Sequence, residues 1–268
     1  MNGKNVFRLL TLVFGICFSS PLPVRADDQE IAKKLANPIA ALISVPFQYN
    51  SDDNYGPADD GSKNFINIQP VIPFSISEDW NVISRTILPV IAQDNIPTGS
   101  SKSGLGDTTQ SFFFSPKEPT SGGLIWGLGP AILLPTATDE TLGGERWAVG
   151  PTFVGLKQEG PWTLGFLTNQ LWSFAGDEDR SDINSTYLQP FISYVTKTRT
   201  TFSINTESTY NWSEEQWNVP VNFIMAQLFK IGNQPMQFGV GPRYWIESAD
   251  AGAEAWGLRA QLTLIFPK

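Results

Sequence analysis

The side chains that could do chemistry in this chain are carboxylates and guanidiniums, because the sequence contains no histidine and a single cysteine, Cys17. The missing imidazole removes Ser-His and Cys-His nucleophile pairs and the usual general base near neutral pH. Two carboxylates could still hydrolyse a sugar. Asp107 and Glu207 fall on interior strand faces, but no pattern in the sequence brings them together. We therefore predict that the chain is not an enzyme and has no catalytic residues.

Metal and cofactor sites find little support. The acidic cluster of Asp52, Asp53, Asp59 and Asp60 has the wrong spacing for an EF-hand loop. The Gly-Leu-Gly piece at residues 104–106 is not followed by a helix, so it does not form a dinucleotide site. We expect no metal and no cofactor. We interpret the acidic cluster as a solvated outer surface that divalent cations bridge to lipopolysaccharide.

The elements that must position these residues are strands, and the clearest lies at the end of the chain. From Trp256 to Phe266 every second residue is apolar, and the residues between them are mostly polar or small. Side chains alternate between the two faces of a strand, so this segment has one apolar and one polar face. A half-buried strand of a soluble sandwich would look the same.

The same alternation recurs along the chain and favours a membrane barrel over a sandwich. It predicts an all-β, antiparallel transmembrane β-barrel of about twelve strands, each of about ten residues, a length that suits a tilted membrane crossing. Long acidic connections, including residues 52–63, 94–103 and 138–145, alternate with mostly short ones. Long outer loops and short periplasmic turns are typical of such barrels. The terminal strand should close the barrel by pairing with the first, residues 43–49.

Composition agrees with this architecture. The chain has 23 glycines, 20 prolines, 9 tryptophans and 18 phenylalanines, which is typical of strands joined by many turns. The tryptophans fall near strand ends, where interfacial girdles would place them. The net charge of −8 argues against a nucleic-acid partner.

The N-terminus has the pattern of a secretory signal peptide over residues 1–26. Lys4 and Arg8 precede an apolar run at residues 9–18, and Ala26 ends a cleavage site. An uncleaved anchor is the alternative. Residues 27–39 form a short periplasmic lead-in, helix-like over residues 27–37, and residues 40–268 form the barrel. An even strand count would place both termini in the periplasm of an outer-membrane protein.

Six charged residues are candidates for the barrel interior: Arg85, Asp107, Glu207, Arg243, Glu247 and Arg259. Charges of both signs in a lumen would set a transverse field and select passing solutes. The alternative is that they form salt bridges that fill a narrow barrel. Inward glycines at positions 127, 129, 239 and 241 favour an open path, or else they relieve barrel curvature.

Several strands also carry internal prolines, among them Pro70, Pro130, Pro151, Pro220 and Pro242. Proline removes a hydrogen bond from the strand ladder. Because a closed barrel has no edge strand to accommodate them, we expect bulges or kinks near the rims.

Blocks along the whole mature chain resemble a known family. They include residues 67–74 (NIQPVIPF), 80–91 (WNVISRTILPVI), 104–117 (GLGDTTQSFFFSPK) and 123–139 (GLIWGLGPAILLPTATD). They are similar to a bacterial family of outer-membrane transporters, often mislabelled neuromedin U, that is grouped with proteins of the meta-pathway of phenol degradation. The resemblance implies an outer-membrane β-barrel with an uptake role, and it supplies no site residues. The ending Phe266-Pro267-Lys268 departs from the terminal aromatic that is the usual assembly signal of such barrels.

The sequence thus predicts a monomeric or weakly oligomeric outer-membrane channel for passive passage of small molecules. Its expected partners are outer-membrane lipid and lipopolysaccharide, small-molecule solutes and the barrel-assembly machinery. The first alternative is a structural or surface-interaction barrel with a filled lumen, and the second is an outer-membrane hydrolase.

Overall fold

The structure, a computed structural model, describes residues 26–266. The predicted signal peptide lies outside the described residues except for Ala26, and Pro267 and Lys268 lie outside them too. The described part contains one α-helix, α1 (Ala26–Leu35). Its strand segments are β1 (Ile43–Tyr55), β2 (Gly61–Ile68), β3 (Val71–Ser75), β4 (Trp80–Asp94), β5 (Ser101–Leu105), β6 (Thr108–Pro116), β7 (Leu124–Leu134), β8 (Arg146–Glu159), β9 (Trp162–Gly176), β10 (Asn184–Val195), β11 (Thr200–Thr206), β12 (Ser208–Asn211), β13 (Gln216–Ile231), β14 (Gln234–Glu247) and β15 (Ala255–Phe266).

These segments make a closed antiparallel barrel of twelve strands, which confirms the predicted fold. Three of the twelve are interrupted: β2 continues as β3, β5 as β6 and β11 as β12. Each strand pairs with the next along the chain, and β1 pairs with β15 to close the ring. Among the described residues no helix is long and apolar enough to span a membrane.

The closing seam between β1 and β15 has the pairing that the sequence predicts. Its register runs without a break from Ile43 opposite Phe266 to Ser51 opposite Leu258. Within β15, Trp256 and Phe266 are exposed on the outside, whereas Arg259 and Ile265 are buried inside. The alternation of the sequence is therefore the alternation between lipid-facing and interior side chains.

The two ends of the barrel differ. At one end, called the loop end, connections between strands run from four to eleven residues; at the other, called the turn end, they run from two to seven. The predicted loop at residues 52–63 is much shorter, because β1 extends to Tyr55 and β2 begins at Gly61. Asp52 and Lys63 are therefore directly paired strand residues and do not belong to a solvated loop.

Aromatic side chains gather at both ends. Trp80 meets Trp126, and Trp162 meets Tyr194, in edge contacts at the turn end. At the loop end Tyr244 contacts Trp256 with 4.8 Å between ring centroids. Between these belts the outside is covered by exposed apolar side chains, among them Phe47, Phe153, Leu164, Ile192 and Phe223. Such a surface suits hydrocarbon flanked by two interfaces.

The internal prolines lie at positions where the hydrogen bonding between strands does not need a backbone N–H donor. Pro130 of β7 and Pro151 of β8 lie directly opposite each other, mid-strand. Neither proline has an N–H to donate. At the same height, the regular pairing of β7 with β6 and of β8 with β9 is interrupted. Our expectation of kinks near the rims was therefore wrong for this pair. Pro220, by contrast, does adjoin a register shift in β13.

Glycines precede three of these prolines and bring strands close together. A Cβ atom at Gly129, Gly150 or Gly241 would overlap the backbone carbonyl oxygen of the adjacent strand. Glycine is the residue that permits such a close approach of two backbones.

Candidate functional site

The interior of the barrel next to the closing seam carries a charged cluster, called the seam cluster, made of Asn50, Asp52, Glu207, Arg243 and Arg259. Strand alternation turns the first two inward from β1, and the arginines inward from β14 and β15. Glu207 lies at the interruption between β11 and β12, opposite the register shift of β13.

Glu207 is held mainly by Arg259. The Arg259 guanidinium donates from Nη1 and Nη2 to the two Glu207 carboxylate oxygens, at 2.7 and 2.6 Å. Arg243 Nη1 lies 3.6 Å from Glu207 Oε2 and adds a second, weaker ion pair. The Arg259 side chain is only 2% exposed, so this fork is shielded from solvent. Two parallel charge-assisted hydrogen bonds fix both position and orientation.

The arginines are also tied to β1. Asn50 Oδ1 accepts from Arg259 Nε at 2.7 Å and from Arg243 Nη1 at 3.3 Å. Arg243 Nε forms an ion pair with Asp52 Oδ1 at 3.1 Å, and Trp245 Nε1 donates to the same oxygen at 3.1 Å. The seam cluster thus links β1, β14 and β15, the strands on either side of the closure.

The six charged residues predicted for the interior fall into different places. Glu207, Arg243 and Arg259 come together in the seam cluster. Arg85 lies apart from it on β4, with its Nη2 donating to Gln69 Oε1 at 3.2 Å. Glu247 continues the inward face of β14 at the loop end but is exposed and outside the cluster.

Asp107 has a different role from the other five. Its two oxygens accept from the backbone N–H groups of Ala137 at 3.1 Å and Gly144 at 2.6 Å. It therefore fastens the loop at residues 135–145 to the interruption between β5 and β6. Asp107 and Glu207, the pair considered for hydrolysis, are each engaged with different partners.

Asn50 and Asp52 are the site residues that the sequence analysis missed. The acidic neighbours of Asp52 predict a solvated loop, yet Asn50 and Asp52 are both 0% exposed. Strand alternation is the signal that could have identified these two residues. Gln48, Asn50 and Asp52 continue the alternation that begins at Ser44. A glycine opposite them gives a second indication, because a Cβ at Gly257 would lie 2.5 Å from Asp52 Oδ1.

Below the seam cluster, toward the turn end, the same wall is lined by amides. Gln69 Nε2 donates to Gln48 Oε1 at 3.2 Å, and Gln48 Nε2 donates to Gln261 Oε1 at 3.3 Å. Gln261 Nε2 in turn donates to Thr263 Oγ1 at 3.1 Å. This amide chain connects Arg85 to the seam strand β15.

The opposite wall is apolar. Ile83, Phe113, Val154 and Leu167 are buried inside and form one cluster with Ile39, which follows helix α1. A Cβ at the inward Gly127 would lie 3.1 Å from Phe113 Cβ and 3.4 Å from Ile39 Cδ1. The space beside this glycine is therefore occupied by the apolar cluster and does not leave an open path.

Helix α1 and the residues after it, 36–42, lie within the turn end of the barrel. Ala32 is fully buried and packs with Val195, Leu228 and Ile265 of the barrel wall. Gln158 Nε2 also donates to the carbonyl oxygen of Lys33 at 2.9 Å. This segment therefore fills part of the turn end of the barrel interior.

One ion-pair junction anchors the start of α1. The Asp28 carboxylate, 4% exposed, lies 2.6 Å from Lys230 Nζ and 3.1 Å from Arg199 Nη1. Burial by itself would raise the pKa of Asp28, but the two cations outweigh it and hold the pKa below the ordinary value of 3.8.

This junction predicts that α1 detaches in acid. Because docking lowers the pKa of Asp28, its contribution to docking is complete above pH 3.8 and is lost as the pH falls through the docked value. A nitroxide on the exposed position 29, introduced as Gln29→Cys, should become more mobile in electron paramagnetic resonance spectra below pH 3.8. Asp28→Asn should give a mobile label at every pH. A label that is as immobile in Asp28→Asn as in wild type would contradict the prediction.

A cavity of about 220 Å³ lies between the N-terminal segment and the seam cluster. Its lining combines the N-terminal segment with Arg85, Glu207 and the amide chain. A second cavity, of about 610 Å³, lies among the connections at the loop end and is lined by Gln93, Ile96, Glu140 and Arg180. Cavities are therefore present between the strand walls and among the connections at the loop end.

No protein-family model matches the chain, and no curated protein matches it. Solved structures do. An outer membrane channel from Pseudomonas putida F1 is 16% identical, with a TM-score of 0.64 over 84% of this chain and 94% of that one. Outer membrane phospholipase A from Escherichia coli is 10% identical, with a TM-score of 0.51 over 88% and 98%. These likenesses establish that the chain has the fold of outer-membrane β-barrels.

Proposed function

We propose that the protein is an outer-membrane channel that passes small polar molecules passively. The observation that carries this proposal is the cavity above the N-terminal segment, which is lined on one side by amides and charges and lies inside a barrel with a lipid-compatible exterior. The likeness to the Pseudomonas putida channel supports the same function by analogy of fold.

The location in the outer membrane follows from the same surface. An apolar band between aromatic belts is stable only where hydrocarbon meets it. We further propose that the turn end, with the N-terminal helix, faces the periplasm, because short turns lie on that side in outer-membrane barrels. Contact with lipopolysaccharide and with the barrel-assembly machinery, and membership of the family grouped with phenol degradation, remain predictions.

The second candidate is a barrel with a filled lumen. It is favoured by the N-terminal segment, which packs with interior residues such as Val195 and Ile265. The hydrolase alternative is weaker, because Glu207 is engaged by two arginines and Asp107 by backbone N–H groups.

Electrical recording tests the channel against the filled barrel. Purified mature protein in planar lipid bilayers should give stepwise increases in conductance, and Asp28→Asn, which frees the helix, should give larger steps. A bilayer treated with the same detergent alone is the control. If both proteins are persistently silent, the lumen is filled and the proposed function is wrong.

A further inference from the structure

We propose that the cavity between the N-terminal segment and the seam cluster binds a small organic carboxylate, with Arg85 as its anchoring cation. This inference rests on the proposed function and names the class of solute that would pass. It is carried by the charges of the cavity lining, the lack of an ion pair at Arg85 and the chemistry of the cavity wall.

The charge balance of the cavity lining is opposite to that of the chain. The chain as a whole has a net charge of −8. The cavity lining, however, includes two cations, Lys34 and Arg85, and one carboxylate, Glu207. An excess of positive charge in a confined space attracts anions.

Arg85 is the cation of the cavity lining that forms no ion pair with a carboxylate of residues 28–266, although Glu207 acts on it at longer range. Lys34, the other cation of the lining, pairs with Glu30. Arg243 pairs with Asp52, and Arg259 pairs with Glu207. The hydrogen bond of Arg85 goes to the neutral amide of Gln69. A partly buried guanidinium gains most from a partner that supplies negative charge.

The rest of the polar wall can complete the binding of an anion without competing for the cation. It consists of amide and hydroxyl groups, which can donate hydrogen bonds to carboxylate oxygens. The cavity lining contributes these groups from Gln48, Gln69, Ser193, Thr201, Gln237 and Gln261, among others.

The size and shape of the site restrict the solute further. A volume of about 220 Å³ is below the range of about 300–1,000 Å³ that is usual for drug-sized ligands. The site therefore suits a molecule of a few carbon atoms. Planar carboxylates match the fork of a guanidinium, which can donate two parallel hydrogen bonds.

A cationic or zwitterionic solute fits less well. Glu207 is the acid in the cavity lining, and both of its oxygens already accept from Arg259. An ammonium group would have to compete with that fork. The Glu207 carboxylate is thus already bound to a guanidinium, whereas the Arg85 guanidinium can still bind a carboxylate. This arrangement favours anionic solutes.

The test is equilibrium dialysis of the detergent-solubilised barrel against radiolabelled succinate, which needs no conductance. Wild-type protein should bind succinate, and unlabelled succinamide, which is neutral, should fail to compete. Arg85→Gln should weaken binding by about tenfold or more, and Arg85→Lys should weaken it less, because the point charge remains without the fork. Lys157→Gln removes one positive charge from an exposed position outside the lumen and should bind like wild type.

Each variant is first shown to migrate as a folded, heat-modifiable barrel. Equal succinate binding by wild type and folded Arg85→Gln, or no binding by wild type, would overturn the carboxylate site. A silent bilayer with normal succinate binding would instead overturn the channel and leave the site standing. The two failures are therefore separable.

Discussion

Replacing Glu207 with glutamine should lower the free energy of unfolding of the barrel by roughly 3–5 kcal/mol. Arg259 is 2% exposed and Arg243 is 6% exposed, so neither guanidinium can recover the lost charge from solvent. Removing one partner of a buried ion pair leaves the other charge uncompensated, which costs more than the pair itself contributes. Urea unfolding in lipid vesicles, followed by tryptophan fluorescence, measures the change.

Glu247→Gln is the matched control. Glu247 lies on the same inward face but is exposed at the loop end, so its replacement should change stability by less than about 0.5 kcal/mol. The double variant Glu207→Gln with Arg259→Gln should recover part of the loss, because it removes the buried charge that the single variant leaves unpaired. If Glu207→Gln and Glu247→Gln behave alike, the seam cluster does not stabilise the barrel.

Replacing Gly241 with alanine should destabilise the barrel by about 1–3 kcal/mol or more. A Cβ at this position would overlap the carbonyl oxygen of Phe223 and lie 2.8 Å from its carbonyl carbon. Those atoms are backbone, so no side chain can rotate away, and β13 and β14 would have to separate. The folded fraction after refolding, read from the heat-modifiable shift in electrophoresis, and the urea midpoint both report the effect.

Gly122→Ala tests whether any glycine replacement is harmful. Gly122 lies in a connection at the turn end, and the nearest atom to an added Cβ is the Thr120 hydroxyl oxygen at 3.9 Å. We expect a stability close to wild type for this variant. Wild-type folding and stability of Gly241→Ala would show that the two strands are not held as close together as the structure places them.

The fold was predictable because its main signal is local. Alternation within β15 is visible in twelve consecutive residues, and it fixes which side chains meet lipid. The closing pair followed from strand count and connection lengths. The interruptions at Gln69, Asp107 and Glu207 were not predictable in the same way, because they depend on contacts with neighbouring strands.

The site was predictable only in part. Strand alternation predicts that the side chains of Arg243, Arg259 and Glu207 point inward. It does not predict which of these side chains contact one another. The sequence neighbours of Asp52 are acidic and turn-forming, so they predict a loop. Its burial is favourable only with the Arg243 guanidinium beside it. The docking of helix α1 depends on Arg199 and Lys230, which lie far along the chain.

The seam cluster also has a consequence for how the chain folds. Asn50 is separated in sequence from Arg243 by 193 residues and from Arg259 by 209. Contacts between residues so far apart in sequence form late, because nearly the whole chain must be in place before these contacts can stabilise it. A chain that has not yet delivered β15 leaves Asn50 without Arg259, and Glu207 without the guanidinium that binds both of its oxygens. The contacts of Asn50 with the two arginines therefore form only when the first and last strands have come together.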